Sequence, residues 1–145
     1  MIKTCKFCRI ISGEPPAPFV LDDESCVAFL DHRPLFRGHC LLLPRTHYET
    51  LMDLPATVTG SLFECAKILC RAVELSMDSE GTFVAINNKV SQSVPHLHVH
   101  VVPRKRKDGL HGFFWPRQRY ADQAEMSEVA ERIRAAVSSL KPKTG

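Results

Sequence analysis

Residues 95–103 read Pro95-His96-Leu97-His98-Val99-His100-Val101-Val102-Pro103, and no other stretch constrains the chain as strongly. Side chains of a β-strand point alternately to its two faces. The pattern therefore predicts a strand over His96–Val102 with His96, His98 and His100 on one face. Leu97, Val99 and Val101 share the other face and can enter a core. Three imidazoles in a row pack poorly, but they can hold metal, move protons or attack phosphorus. Alternate strand positions lie about 6.6 Å apart. Two nitrogens on one zinc ion are no more than about 4.2 Å apart. Placing all three on one ion needs strong distortion, so a division of labour among them is physically easier.

The rest of the chain supplies a sheet for that strand. Phe19–Asp22 and Ser25–Leu30 flank Asp23-Glu24 and predict a hairpin, entered from the Pro-rich turn 14–18. Leu41-Leu42-Leu43 before Pro44 reads as a buried strand, and Thr82–Ile86 as another. Val58, Leu62, Ala66, Leu69 and Val73 recur at steps of three or four, which predicts a helix over 56–79 with Gly81 just past its end. Met126, Val129, Ile133, Val137 and Leu140 mark a second amphipathic helix, stopped by Pro142. Strands and helices without a regular βαβ alternation indicate an α+β domain, with about five mainly antiparallel strands and two helices.

The bulk properties narrow the partners. Nineteen Lys and Arg against sixteen Asp and Glu leave a net charge of +3, which fits an anionic ligand without demanding nucleic acid. No apolar run approaches the roughly 18 residues of a membrane span. The N-terminus has no apolar segment of the signal-peptide kind, so a cytoplasmic location is expected. Six cysteines then read as thiols or metal ligands, not as disulfides.

The histidine pattern with its three following apolar residues resembles the defining motif of the histidine triad (HIT) family. The resemblance extends over Cys5-Lys6-Phe7-Cys8-Arg9-Ile10-Ile11-Ser12-Gly13-Glu14, over Ala28-Phe29-Leu30-Asp31, and over Gly38-His39 and Leu43-Pro44-Arg45-Thr46-His47. Asn87-Asn88 and Gln92-Ser93 are similar to the family's active-site loop, shorter here and without its usual glycines. It implies a single HIT domain over 1–145 with a looser C-terminal extension from about 104.

The resemblance implies a hydrolase acting at the α-phosphate of nucleoside phosphoramidates or dinucleoside polyphosphates, with release of a nucleoside monophosphate. His98 would be the nucleophile of a nucleotidyl-histidine intermediate, and His100 would bind phosphate or assist proton movement. Asn87, Gln92 and Ser93 would meet phosphoryl oxygens; ordinary loop chemistry is their alternative role. Asp31 would accept the ribose hydroxyls of a purine nucleotide, or cap the turn that follows it. Phe7, Ile10, Phe29 and Leu30 would wall the base, as plain core residues also could. His39 matches a histidine near the phosphate site, where a satisfied buried imidazole is the alternative. His32 and His111 match no role and read as structural or surface residues. A nucleotidyltransferase, a non-catalytic nucleotide- or zinc-binding adaptor, and an enzyme removing adenylate from nucleic-acid ends are the competing functions.

Cys5 and Cys8 form a Cys-x-x-Cys pair, a weak signal by itself. In metal-bearing branches of the family such a pair joins two histidines, which implies structural zinc on Cys5, Cys8, His47 and His96. Free thiols beside a surface His47 are the alternative. Cys26, Cys40, Cys65 and Cys70 fall in strand or helix patterns and read as small buried hydrophobes. Arg104-Lys105-Arg106-Lys107 reads as a solvated loop that could also attract polyphosphate. Phe113-Phe114-Trp115-Pro116 is an apolar patch suited to the sheet or to a second subunit, since family members are commonly homodimers.

Overall fold

The computed structural model describes residues 4–110 and 118–140. His111, the patch at Phe113–Pro116 and Pro142 lie outside the described residues. The chain divides into two compact units, one ending at Gly109 and one beginning at Leu110. No helix among the described residues is long and apolar enough to cross a membrane.

In the first unit, α1 (Lys6–Ile11) precedes β1 (Phe19–Asp22), β2 (Cys26–Leu30) and β3 (Cys40–Pro44). A 3-10 turn at Leu51–Asp53 leads into α2 (Ala56–Met77), followed by β4 (Gly81–Ala85) and β5 (Val99–Arg104). The five strands form one antiparallel sheet in the order β1-β2-β3-β5-β4. The second unit holds α3 (Gln123–Leu140), an amphipathic helix with no buried residue.

The architecture is the expected α+β sheet, but with three helices instead of two among the described residues. The addition, α1, has only six residues and no room for an apolar period. Cys5 caps it, its thiol accepting the Cys8 N–H at 3.5 Å. Gly13, at φ +90°, takes the left-handed turn that ends it.

Two boundaries also move. Helix α2 stops at Met77, with Asp78 in the left-handed region as its C-cap, and Gly81 opens β4. Aspartate tolerates that conformation better than most residues. The regular strand starts at Val99 and not at His96, because its ladder with β3 begins at the Val99–Leu42 pair. The N–H groups of His96 and Leu97 donate to the carbonyls of Val94 and Tyr48 instead.

Side-chain alternation nevertheless holds through the triad. Leu97, Val99 and Val101 join Ala28, Leu42 and the stripe of α2 in one core. Val27, Phe29, Leu41 and Leu43 face the other way, against Phe7, Cys8 and Ile10 of α1. A sheet covered on both faces explains why Leu41-Leu42-Leu43 is continuously apolar. Cross-strand partners share a face, and His100 sits opposite Leu41, so the histidines lie on the α1 side.

Candidate active site

His98 is buried, and its ring stands edge-on to Phe7 at 5.1 Å and to His100 at 4.9 Å. Its Nδ1 lies 2.7 Å from the carbonyl of His96. A carbonyl only accepts, so Nδ1 carries the proton and Nε2 keeps its lone pair.

A second backbone group sets the next two rings. The Leu35 N–H donates to His39 Nδ1 at 3.1 Å, so the proton of neutral His39 is on Nε2. That N–H faces His100 Nδ1 at 3.0 Å, which leaves His100 with its own proton on Nε2. Burial holds His39 below the ordinary imidazole range, against the pull of the Asp31 carboxylate. Burial, then the neighbouring His98 and His39, push His100 down to about 4. Both rings are therefore neutral at pH 7.

The cleft over these rings encloses about 760 Å³. Phe7, Ile10, Phe29, Leu30, Asp31, Ser93, His98 and His100 all line it. Asp31 spends Oδ1 on the Arg33 N–H at 2.9 Å, the turn-capping role, while Oδ2 lies 3.8 Å from His39 Nε2. His39 is not among the lining residues but touches two of them, His100 and Asp31. Gln92 and Asn87 are not among the lining residues. The Gln92 amide ties its own loop, accepting from the Lys89 N–H and donating to the Glu49 carbonyl. Lys89 and Ser91 in that loop stand at positive φ, the conformations that glycines would otherwise supply.

Sequence reasoning passed over other members of the cleft. Lys6, the rim residues His32 and Arg33, and the Pro15–Pro18 lip all line it. His32 is thus an exposed cleft residue as well as a surface one. The basic run at Arg104–Lys107 does not line the cleft. Its first three members pair with Asp108, Asp78 and Glu80.

Cys5, Cys8, His47 and His96 converge with all four ligand atoms within 4.8 Å of one another. Cys5 Sγ and Cys8 Sγ lie 3.5 and 3.6 Å from His96 Nδ1, and Cys8 Sγ lies 3.4 Å from His47 Nδ1. Tetrahedral zinc with ordinary bond lengths separates sulfur from nitrogen by about 3.6 Å. His96 Nε2–H donates to the Pro44 carbonyl at 2.9 Å, which turns an unprotonated Nδ1 toward the thiols. Burial pushes the Cys5 thiol up and His96 down to about 4. Neutral imidazole is the ligand form, and a bound cation would offset the cost of the thiolate. The donor set, spacing and tautomer all fit zinc. None of the six cysteines is in a disulfide; Cys26, Cys40 and Cys65 are buried, and Cys70 is half-buried.

Comparison with known proteins agrees with this geometry. A family model described as the HIT domain matches residues 12–107. The chain is 34% identical over 108 residues to an adenylylsulfatase of Arabidopsis thaliana, covering 73% of this chain but only 55% of that longer relative. It is 27% identical over 143 residues to an adenosine 5'-monophosphoramidase of Candida albicans, covering 94% and 93% of the two chains. The crystal structure of a zinc-bound histidine triad family protein from Mycobacterium smegmatis superposes with a TM-score of 0.70 at 33% identity, covering 95% of this chain and 98% of that one. Three histidines carried on one sheet face, within the span that the family model matches, make this chain a member of the HIT domain family.

Proposed function

We propose that this protein is a purine nucleotide hydrolase that acts at the α-phosphate through a nucleotidyl-histidine intermediate. The observation that carries the reading is the 2.7 Å hydrogen bond from His98 Nδ1 to the His96 carbonyl. It leaves Nε2 as a ready nucleophile beside a cleft of nucleoside size. A neutral imidazole attacks phosphorus without first losing a proton, and it is a good leaving group in turn.

In the first step His98 Nε2 bonds to the α-phosphorus while the bond to the leaving group breaks. An amine leaving group departs with a proton taken from solvent, while His100 Nε2–H, on the ring beside His98, donates a hydrogen bond to the phosphoryl group and keeps its proton. In the second step water attacks the same phosphorus, the N–P bond breaks, and a nucleoside monophosphate leaves with His98 restored. Ser93 lines the cleft as a donor for phosphoryl oxygens. Asp31 retains acceptor capacity for ribose, because a carboxylate offers about four lone-pair sites and the turn uses one.

Cys5, Cys8, His47 and His96 would hold one structural zinc ion. When bound, it supplies a cross-link between the start of α1 and the segments beside β3 and β5. The relatives named for adenylylsulfate and adenosine phosphoramidate hydrolysis support a mixed-anhydride or phosphoramidate substrate.

His98→Asn tests the reading. Turnover of adenosine 5'-phosphoramidate should fall by at least about a thousandfold, a catalytic-nucleophile loss, while AMP binding stays measurable. Denatured wild-type enzyme quenched during turnover should carry one nucleotidyl mass on the peptide with His98. Near-normal turnover by the variant overturns the mechanism.

A further inference from the structure

We propose that Cys5 and Cys8 are a peroxide-sensitive modification site: oxidation joins them in a disulfide, frees His47 and His96, and slackens the α1 wall of the nucleotide cleft. The inference rests on the structural-zinc reading above and gives that cluster a second chemical state. The two sulfurs lie within 4.8 Å of each other. Cys5 is the N-cap of α1 and Cys8 its third residue, so rotation of the two side chains brings sulfur to sulfur within one turn.

The two thiols are not equivalent. Cys5 lines a cleft of about 350 Å³, together with Thr4, His47 and Glu49, and Cys8 is not among the lining residues. Cys5 therefore meets a small solute first. Cys8 is more deeply buried and reacts through Cys5.

The other four cysteines lack this combination. Cys26, Cys40 and Cys65 are buried in the core that includes the stripe of α2. Burial pushes the Cys40 and Cys65 thiols up to about 11, so both stay neutral at pH 7, and the thiolate is the reactive form. Cys26 neighbours Cys65 and makes the rival pair. Cys70 lines a groove on α2 with no second cysteine in its lining. Cys5 and Cys8, by contrast, are thiolates whenever they hold a cation.

Atoms and electrons balance across the oxidation. The Cys5 thiolate attacks one oxygen of hydrogen peroxide. The S–O bond forms, the O–O bond breaks, and the departing hydroxide takes a proton from solvent. The Cys8 thiolate then attacks the sulfur of that sulfenic acid. The S–S bond forms, the S–O bond breaks, and a second hydroxide leaves as water. The two sulfurs give up two electrons, and one peroxide becomes two waters. With no thiolate left, a metal cation is released unchanged, and a thiol reductant reverses the bond.

The oxidation changes what α1 is tied to. In the reduced cluster the sulfurs reach His47 and His96, from 39 to 91 positions away in sequence. The disulfide instead closes only residues 5–8, at the start of α1 itself. So short a loop restrains the unfolded chain little, and the link to the sheet is gone. Phe7 and Ile10 of α1 both line the nucleotide cleft, and the Phe7 ring stands against His98. The slackening reaches nucleotide binding through them.

The test treats the protein as purified with hydrogen peroxide. Peptide mapping without reduction should find Cys5 joined to Cys8, as a chromogenic chelator detects about one zinc released per chain. AMP affinity should fall about tenfold, Tm should fall with it, and dithiothreitol plus zinc should restore both. Cys70→Ser should respond as wild type does. Cys5 and Cys8 left unjoined, or a Cys26–Cys65 disulfide in their place, overturns the pair. A mapped Cys5–Cys8 disulfide with unchanged AMP affinity and Tm overturns the slackening. If the purified protein holds no zinc, the zinc reading fails, while the mapping and the AMP affinity still judge this proposal. If reduced wild type binds no AMP, the nucleotide reading fails and Tm judges the slackening.

Discussion

Asp31 carries two demands on one carboxylate. Its Oδ1 holds the turn through the Arg33 N–H, and its side chain lines the cleft. A hydrogen bond involving a charged group contributes roughly 1.5–3 kcal/mol. On the ribose reading, Asp31→Ala should weaken AMP binding by about one to two powers of ten. The preference for AMP over 2'-deoxy-AMP should largely vanish with it. A purely turn-capping Asp31 predicts lower thermal stability with that preference intact. Calorimetric titration of both ligands, with Asp31→Asn as the variant that keeps a turn acceptor, separates the two roles. The three neighbouring imidazoles show the same economy. One backbone carbonyl and one backbone N–H fix the proton positions on His98, His39 and His100.

Among the elements, α1 depends most on its surroundings. Six residues do not hold a helix by themselves, because nucleation costs more than so few hydrogen bonds return. Burial of Phe7, Cys8 and Ile10 against β2 and β3 supplies what propensity cannot. The Cys5 and Cys8 thiols also bring α1 to His47 and His96, so a metal ion there would fasten the wall of the candidate cleft. Protein purified without added metal should contain about one zinc per chain. Cys5→Ser combined with Cys8→Ser should remove it and lower Tm by roughly 10 °C, a loss of about 2–3 kcal/mol. Turnover by the molecules that remain folded should change less. Atomic absorption that finds no zinc in wild type, or the same zinc in the double variant, rejects the site.

At the scale of the molecule, burying neutral histidines makes stability pH-dependent. The unfolded chain protonates His39 and His100 near 6.5, whereas the folded chain resists, His100 until about 4. Between those values the unfolded state binds more protons, so stability falls as pH falls through the window. Above pH 6.5 these groups contribute no slope. Asp23 and Asp53, held below the usual carboxylate range by hydrogen bonds from Ser25 and Thr50, add the same sign at lower pH. Urea midpoints should therefore drop from pH 7 to pH 4.5, and His100→Asn should flatten that drop. A midpoint that is constant or rises toward pH 4.5 contradicts the assignment.

Local order was legible in the residues alone. Alternation placed His96, His98 and His100 on one face and Leu97, Val99 and Val101 on the other, because strand geometry depends only on neighbouring bonds. The apolar step of α2 and the hairpin of β1 and β2 were readable for the same reason. Helix α1 was not, since its stability comes from contacts far away in sequence. The Gln92 tether to Glu49 and the use of Asp78 as a C-cap escaped for similar reasons. Tertiary structure alone decided that His39 would set the proton of His100 across 61 positions, and that Cys5 would meet His96 across 91. Those pairings depend on strand register and on how α1 packs over the sheet, which the packing of both cores fixes.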